Sequence, residues 1–244
     1  MSVFPLMLAA VIASSDAEAA VAANHAEAAM VATIPPDPNN PTCPKSLDWS
    51  TYRQMRFTLL ETEARRILKA EGVIDAGAGA RLAAALKEHD PIDEIWLRSP
   101  GGDARVGNEA GTIIRKLGVP TRIPARWACF SACNFIFMGG PIRFIDDGGH
   151  FVVHMFTHLS NKDAVHAEVS QSADEALALI SGVEQDSAML ASEDNDFLIR
   201  MGVSRKLLTE VMYKQKAVAA GDDKSTRRCL TSREAVKYNV ANAQ

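Results

Sequence analysis

A serine, a histidine and a pair of glycines carry the chemistry open to this chain. Ser131 lies within Trp127-Ala128-Cys129-Phe130-Ser131-Ala132-Cys133-Asn134-Phe135-Ile136-Phe137-Met138-Gly139-Gly140, where an extended stretch turns into a helix. A serine at the first turn of a helix sits beside N–H groups that no helical carbonyl takes, at the positive end of the helix dipole. Both features favour an oxyanion there. His154 ends the apolar run Phe151-Val152-Val153, and a neutral imidazole beside a serine is what a general base requires. Gly101-Gly102 follows Ile95-Trp96-Leu97. Two glycines let the backbone approach a substrate closely and point an N–H into a site. Together these residues suit acyl transfer through a serine ester. Each also has a plainer reading: Ser131 as a helix N-cap, His154 as a core histidine, the glycines as a tight turn.

The elements that must position them alternate. Arg66–Ile74 reads as a strand and turn, and Ala78–Glu88 as a helix with Leu82 and Leu86 on one face. Glu94–Arg98 is a strand, and Val106–Leu117 a helix closed by Gly118. Thr121–Ala128 is a strand, Ser131–Met138 a helix, Ile142–Ile145 a strand and Phe151–Phe156 another. The turn Asp146-Asp147-Gly148-Gly149 separates the last two. This order predicts an α/β domain with a mainly parallel sheet. The last third turns helical. Val165–Ser192 is one long polar helix, Asp196–Met201 and Ser204–Tyr213 are shorter ones, and Leu230–Tyr238 closes the chain.

The 244 residues divide into three parts. Residues 1–22 read as a signal peptide, with the apolar run Val3–Ala13 and the small-x-small site Ala17-Glu18-Ala19. No basic residue precedes Lys45, so the usual positive start is missing. Residues 23–55 read as a Pro-, Ala- and Asn-rich linker, and 56–244 as the folded domain. Beyond the leader no stretch is long enough to span a bilayer. With 26 basic against 30 acidic residues and no basic patch, nucleic acid is not an expected partner. Export suits the four cysteines, Cys43, Cys129, Cys133 and Cys229, which allow three pairings. A Cys43–Cys229 bridge would staple the two ends of the domain; the plainer reading is four small buried hydrophobes. His150, His154 and His158 are spaced by four, a metal-binding face only on a helix; the surrounding residues favour a strand, so no metal and no other cofactor is expected.

Taken together, these segments resemble the Clp-protease/crotonase superfamily, and in particular the exported, periplasmic Clp-protease-like proteins of bacteria. The resemblance covers residues 65–160 and the tail around Leu230–Asn239. It rests on Leu97-Arg98-Ser99-Pro100-Gly101-Gly102, Cys129-Phe130-Ser131-Ala132-Cys133, Phe151-Val152-Val153-His154 and Thr231-Ser232-Arg233-Glu234-Ala235-Val236-Lys237-Tyr238. It implies repeated ββα units with a C-terminal helical segment. Ser131 would be the nucleophile and His154 the base, with an oxyanion hole around Gly101, Gly102 and Ala132. It also implies homo-oligomers, with Val165–Ser192 as a possible contact.

The chain departs from the pattern in three places. The family's aspartate falls on Arg227; Asp223 would serve only if the loop shifts by four residues, with Asp222 beside it as the alternative. Asn239 stands where a glycine is usual after Tyr238. Nothing resembles the loops that dock an unfoldase ATPase, so no such partner is expected. The leading expectation is a periplasmic or secreted serine hydrolase, a peptidase acting on peptides or proteins. The alternative is a non-catalytic envelope protein that uses the fold for binding or assembly. A third reading is a crotonase-type acyl-CoA enzyme, which export argues against.

Overall fold

The computed structural model of the protein describes residues 36–37, 40–155, 162–215 and 226–243. The short strands β1 (Pro36–Asp37) and β2 (Asn40–Pro44) pair antiparallel. The hairpin of β3 (Arg56–Glu61) and β4 (Arg66–Glu71) turns at Thr62, whose N–H donates to the Arg65 carbonyl at 2.9 Å. Helix α1 (Ala78–Glu88) buries Leu82 and Leu86, as its spacing predicts. Next come β5 (Glu94–Arg98), α2 (Ala104–Leu117), β6 (Thr121–Ile123), β7 (Ala128–Phe130), α3 (Cys133–Gly139), β8 (Arg143–Ile145) and β9 (His150–His154). The chain continues through α4 (Lys162–Val169), α5 (Ala173–Arg200), β10 (Arg227–Cys229) and α6 (Ser232–Lys237).

Five strands form the larger sheet in the order β3-β4-β5-β6-β8, parallel except for the β3–β4 hairpin. A second sheet, β10-β9-β7, has β7 parallel and β10 antiparallel to β9. The expected α/β class with a mainly parallel sheet is what the chain adopts. The single strand expected over Thr121–Ala128 is instead two strands in different sheets. Pro124 cannot donate to a ladder, Trp127 N–H closes a turn onto the Pro124 carbonyl at 3.1 Å, and Arg126 holds a φ of 70°. The chain therefore leaves one sheet and enters the other within a few residues.

The helices expected in the last third change as well. The helix expected over Val165–Ser192 is broken: Ser172 is extended, and its hydroxyl accepts the Glu175 N–H at 3.1 Å as an N-cap. The helix begun there runs on to Arg200 and absorbs the separate segment expected at Asp196–Met201. Ser204–Tyr213 forms not an α-helix but a π-turn, Leu207–Val211, and a 3-10 turn, Met212–Lys214. The closing helix is shorter than expected at its start, because a capping box between Thr231 and Glu234 sets its first turn.

The ordered chain also reaches further toward the N-terminus than Arg56. Cys43, Ser50 and Met55 are buried, and residues 42–50 cover the outer face of the second sheet. That sheet is consequently buried on both sides. Cys129, Phe151 and Val153 join the main core, while Ala128 and Val152 join a small one with Cys43 and Cys229, against which Leu47, Trp49 and Phe130 pack. Alternate residues of a strand face opposite ways, so each of β7 and β9 feeds both cores.

The chain's end is held by Arg143, which is 1% exposed. Its guanidinium donates to the carbonyls of Gly140 at 2.7 Å, Asn239 at 2.8 Å and Val240 at 2.8 Å. Burial, with Arg115 nearby, pulls its pKa down to about 10. Asn239, where a glycine was expected, holds a φ of 54° in the left-handed region that Asn tolerates.

Candidate active site

Ser131 stands in the turn between β7 and α3, one step before the helix rather than on it. Ala132 is the helix N-cap residue, and α3 is buried along its whole length. Ser131 has a φ of 57°, a left-handed conformation that costs an L-residue roughly 1–2 kcal/mol. Surrounding contacts hold it there. Its N–H donates to the Val152 carbonyl at 3.3 Å, and its carbonyl accepts the Asn134 N–H at 2.9 Å. The buried Asn134 side chain also donates, from Nδ2, to the Val152 carbonyl at 2.8 Å. Asn134 thus ties the serine turn to the histidine strand. The sequence gives no sign of this tie, because a polar residue in an apolar helix carries no signal of what it bonds.

Cys129 and Cys133 form a disulfide that straddles Ser131, joining the middle of β7 to the start of α3. The second disulfide is Cys43–Cys229, the bridge considered from the sequence, with a Cα–Cα distance of 5.1 Å.

His154 ends β9 beside this turn. Its Nε2 lies 2.7 Å from Ser131 Oγ, and its Nδ1 lies 2.7 Å from the Met155 carbonyl oxygen. A carbonyl has no proton to give, so Nδ1 carries the proton and Nε2 is free to accept from the serine hydroxyl. Burial lowers the imidazole's pKa, opposed by the Met155 hydrogen bond, so the neutral form is favoured. The Phe130 ring packs on the imidazole at a centroid distance of 4.7 Å.

The Ser-Pro-Gly-Gly turn abuts the same place. A Cβ placed on Gly101, whose φ is 89°, would lie 2.6 Å from the Phe130 carbonyl oxygen and 2.7 Å from Ser131 Cβ. The Gly101 N–H is committed to Ser99 Oγ at 3.0 Å. It is therefore not available to an oxyanion, a correction to its expected role. The exposed Gly102, with a φ of 148°, and Ala132 give their N–H groups to no backbone carbonyl among the described residues. Ser99 is fully buried and holds the turn, its hydroxyl donating to the Gly72 carbonyl at 2.6 Å. Its own N–H and carbonyl bond β7 on either side of Cys129.

Asp222 and Asp223 lie outside the described residues, as does His158. Asp146 pairs with Arg122. Arg227 stands opposite His154 in the β9–β10 ladder, with its guanidinium 5.4 Å from the Trp49 ring centroid. Among the described residues no helix is long and apolar enough to cross a membrane.

The chain matches no family model and no curated protein. Among solved structures it is similar to a mutant of ClpP1 from Listeria monocytogenes, with a TM-score of 0.49 and 16% sequence identity; the match covers 72% of this chain and 89% of that one.

Proposed function

We propose that this chain is an exported serine hydrolase of the Clp-protease-like class, built from that class's repeated ββα units and acting on peptides or proteins as a homo-oligomer. The observation that carries the reading is the 2.7 Å approach of Ser131 Oγ to a His154 Nε2 left unprotonated by the Nδ1 bond to Met155. In this reading Ser131 attacks the substrate carbonyl and its proton passes to His154 Nε2. The oxyanion that forms is met by the N–H groups of Gly102 and Ala132; one such donor is typically worth about 10²–10³ in rate. His154 then gives the proton to the leaving amine, and water releases the acyl group by the same route. Two disulfides fit an oxidising compartment.

The test is labelling of the purified protein with a fluorophosphonate probe, beside Ser131→Ala and His154→Ala. Label on the native protein, lost in both variants, is the expected result. A folded native protein that takes no label would overturn the hydrolase and favour the non-catalytic envelope protein. The observation behind that second reading is Arg227, which stands across from His154 where the resemblance calls for an aspartate.

A further inference from the structure

The His154 ring is held by a hydrogen bond and by an aromatic neighbour. On the edge, Nδ1–H meets the Met155 carbonyl at 2.7 Å. Against the imidazole packs Phe130, tilted by 44° at a centroid distance of 4.7 Å. Phe130 is itself stacked on Trp49, at 5.7 Å with 20° between the planes, and Arg227 lies over the Trp49 ring. These aromatic residues come from distant parts of the chain. Phe130 immediately precedes Ser131, whereas Trp49 belongs to the N-terminal cover. That cover is fastened by the Cys43–Cys229 disulfide, by the Ala128 N–H donating to the Asp48 carbonyl at 2.8 Å, and by the Asp48–Arg98 ion pair.

We propose that Phe130 and Trp49 are positioning residues for His154, and that with the Met155 carbonyl they replace a triad carboxylate, so that Ser131 and His154 react without one. This rests on the hydrolase reading above. A triad acid fixes the imidazole's tautomer and orientation, and stabilises the imidazolium formed when the serine gives up its proton. The Met155 carbonyl does the first by accepting Nδ1–H, and its partial negative charge contributes to the last. The Phe130 ring, packed at 4.7 Å, limits rotation of the imidazole, and an aromatic ring this close can also favour the imidazolium. Nδ1 carries a single proton, so a carboxylate would have to displace the carbonyl to reach it. During reaction the serine proton moves to Nε2 and on to the leaving group, while the Nδ1 proton stays on Nδ1, hydrogen-bonded to the Met155 carbonyl.

The test compares the native protein with Asp222→Asn/Asp223→Asn, Phe130→Leu and Trp49→Leu, and with the conservative Phe130→Tyr and Trp49→Phe. Two quantities are read: the rate of fluorophosphonate labelling across pH, and the nitrogen chemical shifts of the His154 imidazole, which report its tautomer. The double Asn variant should label as fast as native protein and keep the Nδ1–H tautomer. Each Leu variant should label about 10²-fold more slowly, as expected for a misplaced catalytic group, and show a displaced pH inflection. The Tyr and Phe variants should recover most of the rate, which separates positioning from a general loss of fold. A loss of about 10⁴-fold in the double Asn variant, as in triads deprived of their acid, would overturn the inference while leaving the hydrolase standing. Leu variants that label like native protein would do the same. Native protein that takes no label overturns both.

Discussion

Ser131 is the point of greatest local cost in the site. A left-handed serine is kept only because its neighbours over-determine it: the Val152 carbonyl, Asn134, and the Gly101 turn pressed against its Cβ. Gly101→Ala would put a methyl group within 2.7 Å of that Cβ and 2.6 Å of the Phe130 carbonyl, in backbone that L-residues avoid. Labelling of Ser131 should fall by at least about 10²-fold, the usual consequence of an ångström-sized misplacement; a labelling time course measures it. The histidine makes a prediction of its own. Burial places its pKa below the ordinary 6.5, so the pH profile of labelling should inflect below 6.5 and the protein should still react in mildly acid buffer. The sign for stability follows from linkage. The unfolded chain takes up this proton first as pH falls, so stability is lost from about pH 6.5 downward until the folded histidine also protonates.

Among the elements, the β7–α3 turn and the long helix α5 behave differently. The turn is locked by the Cys129–Cys133 disulfide and by a buried helix beyond it. Helix α5 buries only Asp194, Phe197 and Leu198, all in its last turns, and Leu177, Ile180 and Met189 along it are exposed. Asp194 is the anomaly there. It is 5% exposed, its one side-chain hydrogen bond among the described residues comes from Asn108 Nδ2 at 3.5 Å, and burial pushes its pKa up to about 7. A raised carboxylate pKa favours the folded state at low pH and burdens it once the group ionises. Asp194→Asn should therefore raise stability at pH 8 by up to about 4 kcal/mol, at roughly 1.4 kcal/mol per pKa unit. At pH 4 it should change little. Thermal melts of both proteins at the two pH values check it.

The site depends on a domain closed at both ends. The N-terminal cover brings Trp49 to the outer face of the second sheet, and the Cys43–Cys229 bond fastens that cover to β10 across a sequence separation of 186. By loop-closure entropy such a bridge constrains the unfolded chain by about 5 kcal/mol. Cys43→Ala/Cys229→Ala should lower stability toward that figure, and its loosened cover should alter Trp49 fluorescence before the main core melts. Chemical denaturation followed by tryptophan emission and by far-UV circular dichroism separates the two events. Loss of both signals together would mean that the cover is not an independent attachment.

Local chain chemistry made the strand–turn–helix order, the Ser131 turn, the His154 strand and the Gly101-Gly102 turn legible before any coordinates. Small residues, turn-forming pairs and hydrophobic periodicity act over a few residues, and they say which face of an element is buried. They do not say against what. That is why Thr121–Ala128 reads as one strand from its sequence, and why β3, a half-exposed strand of alternating burial, carries no clear signal. It is also why residues 42–55, with no periodic pattern, read as linker. Which cysteines pair, which carbonyl takes His154 Nδ1–H, that Gly101 spends its N–H on Ser99 and that Trp49 backs Phe130 are all set by contacts between distant residues. Those contacts form only once both sheets and the cover are assembled.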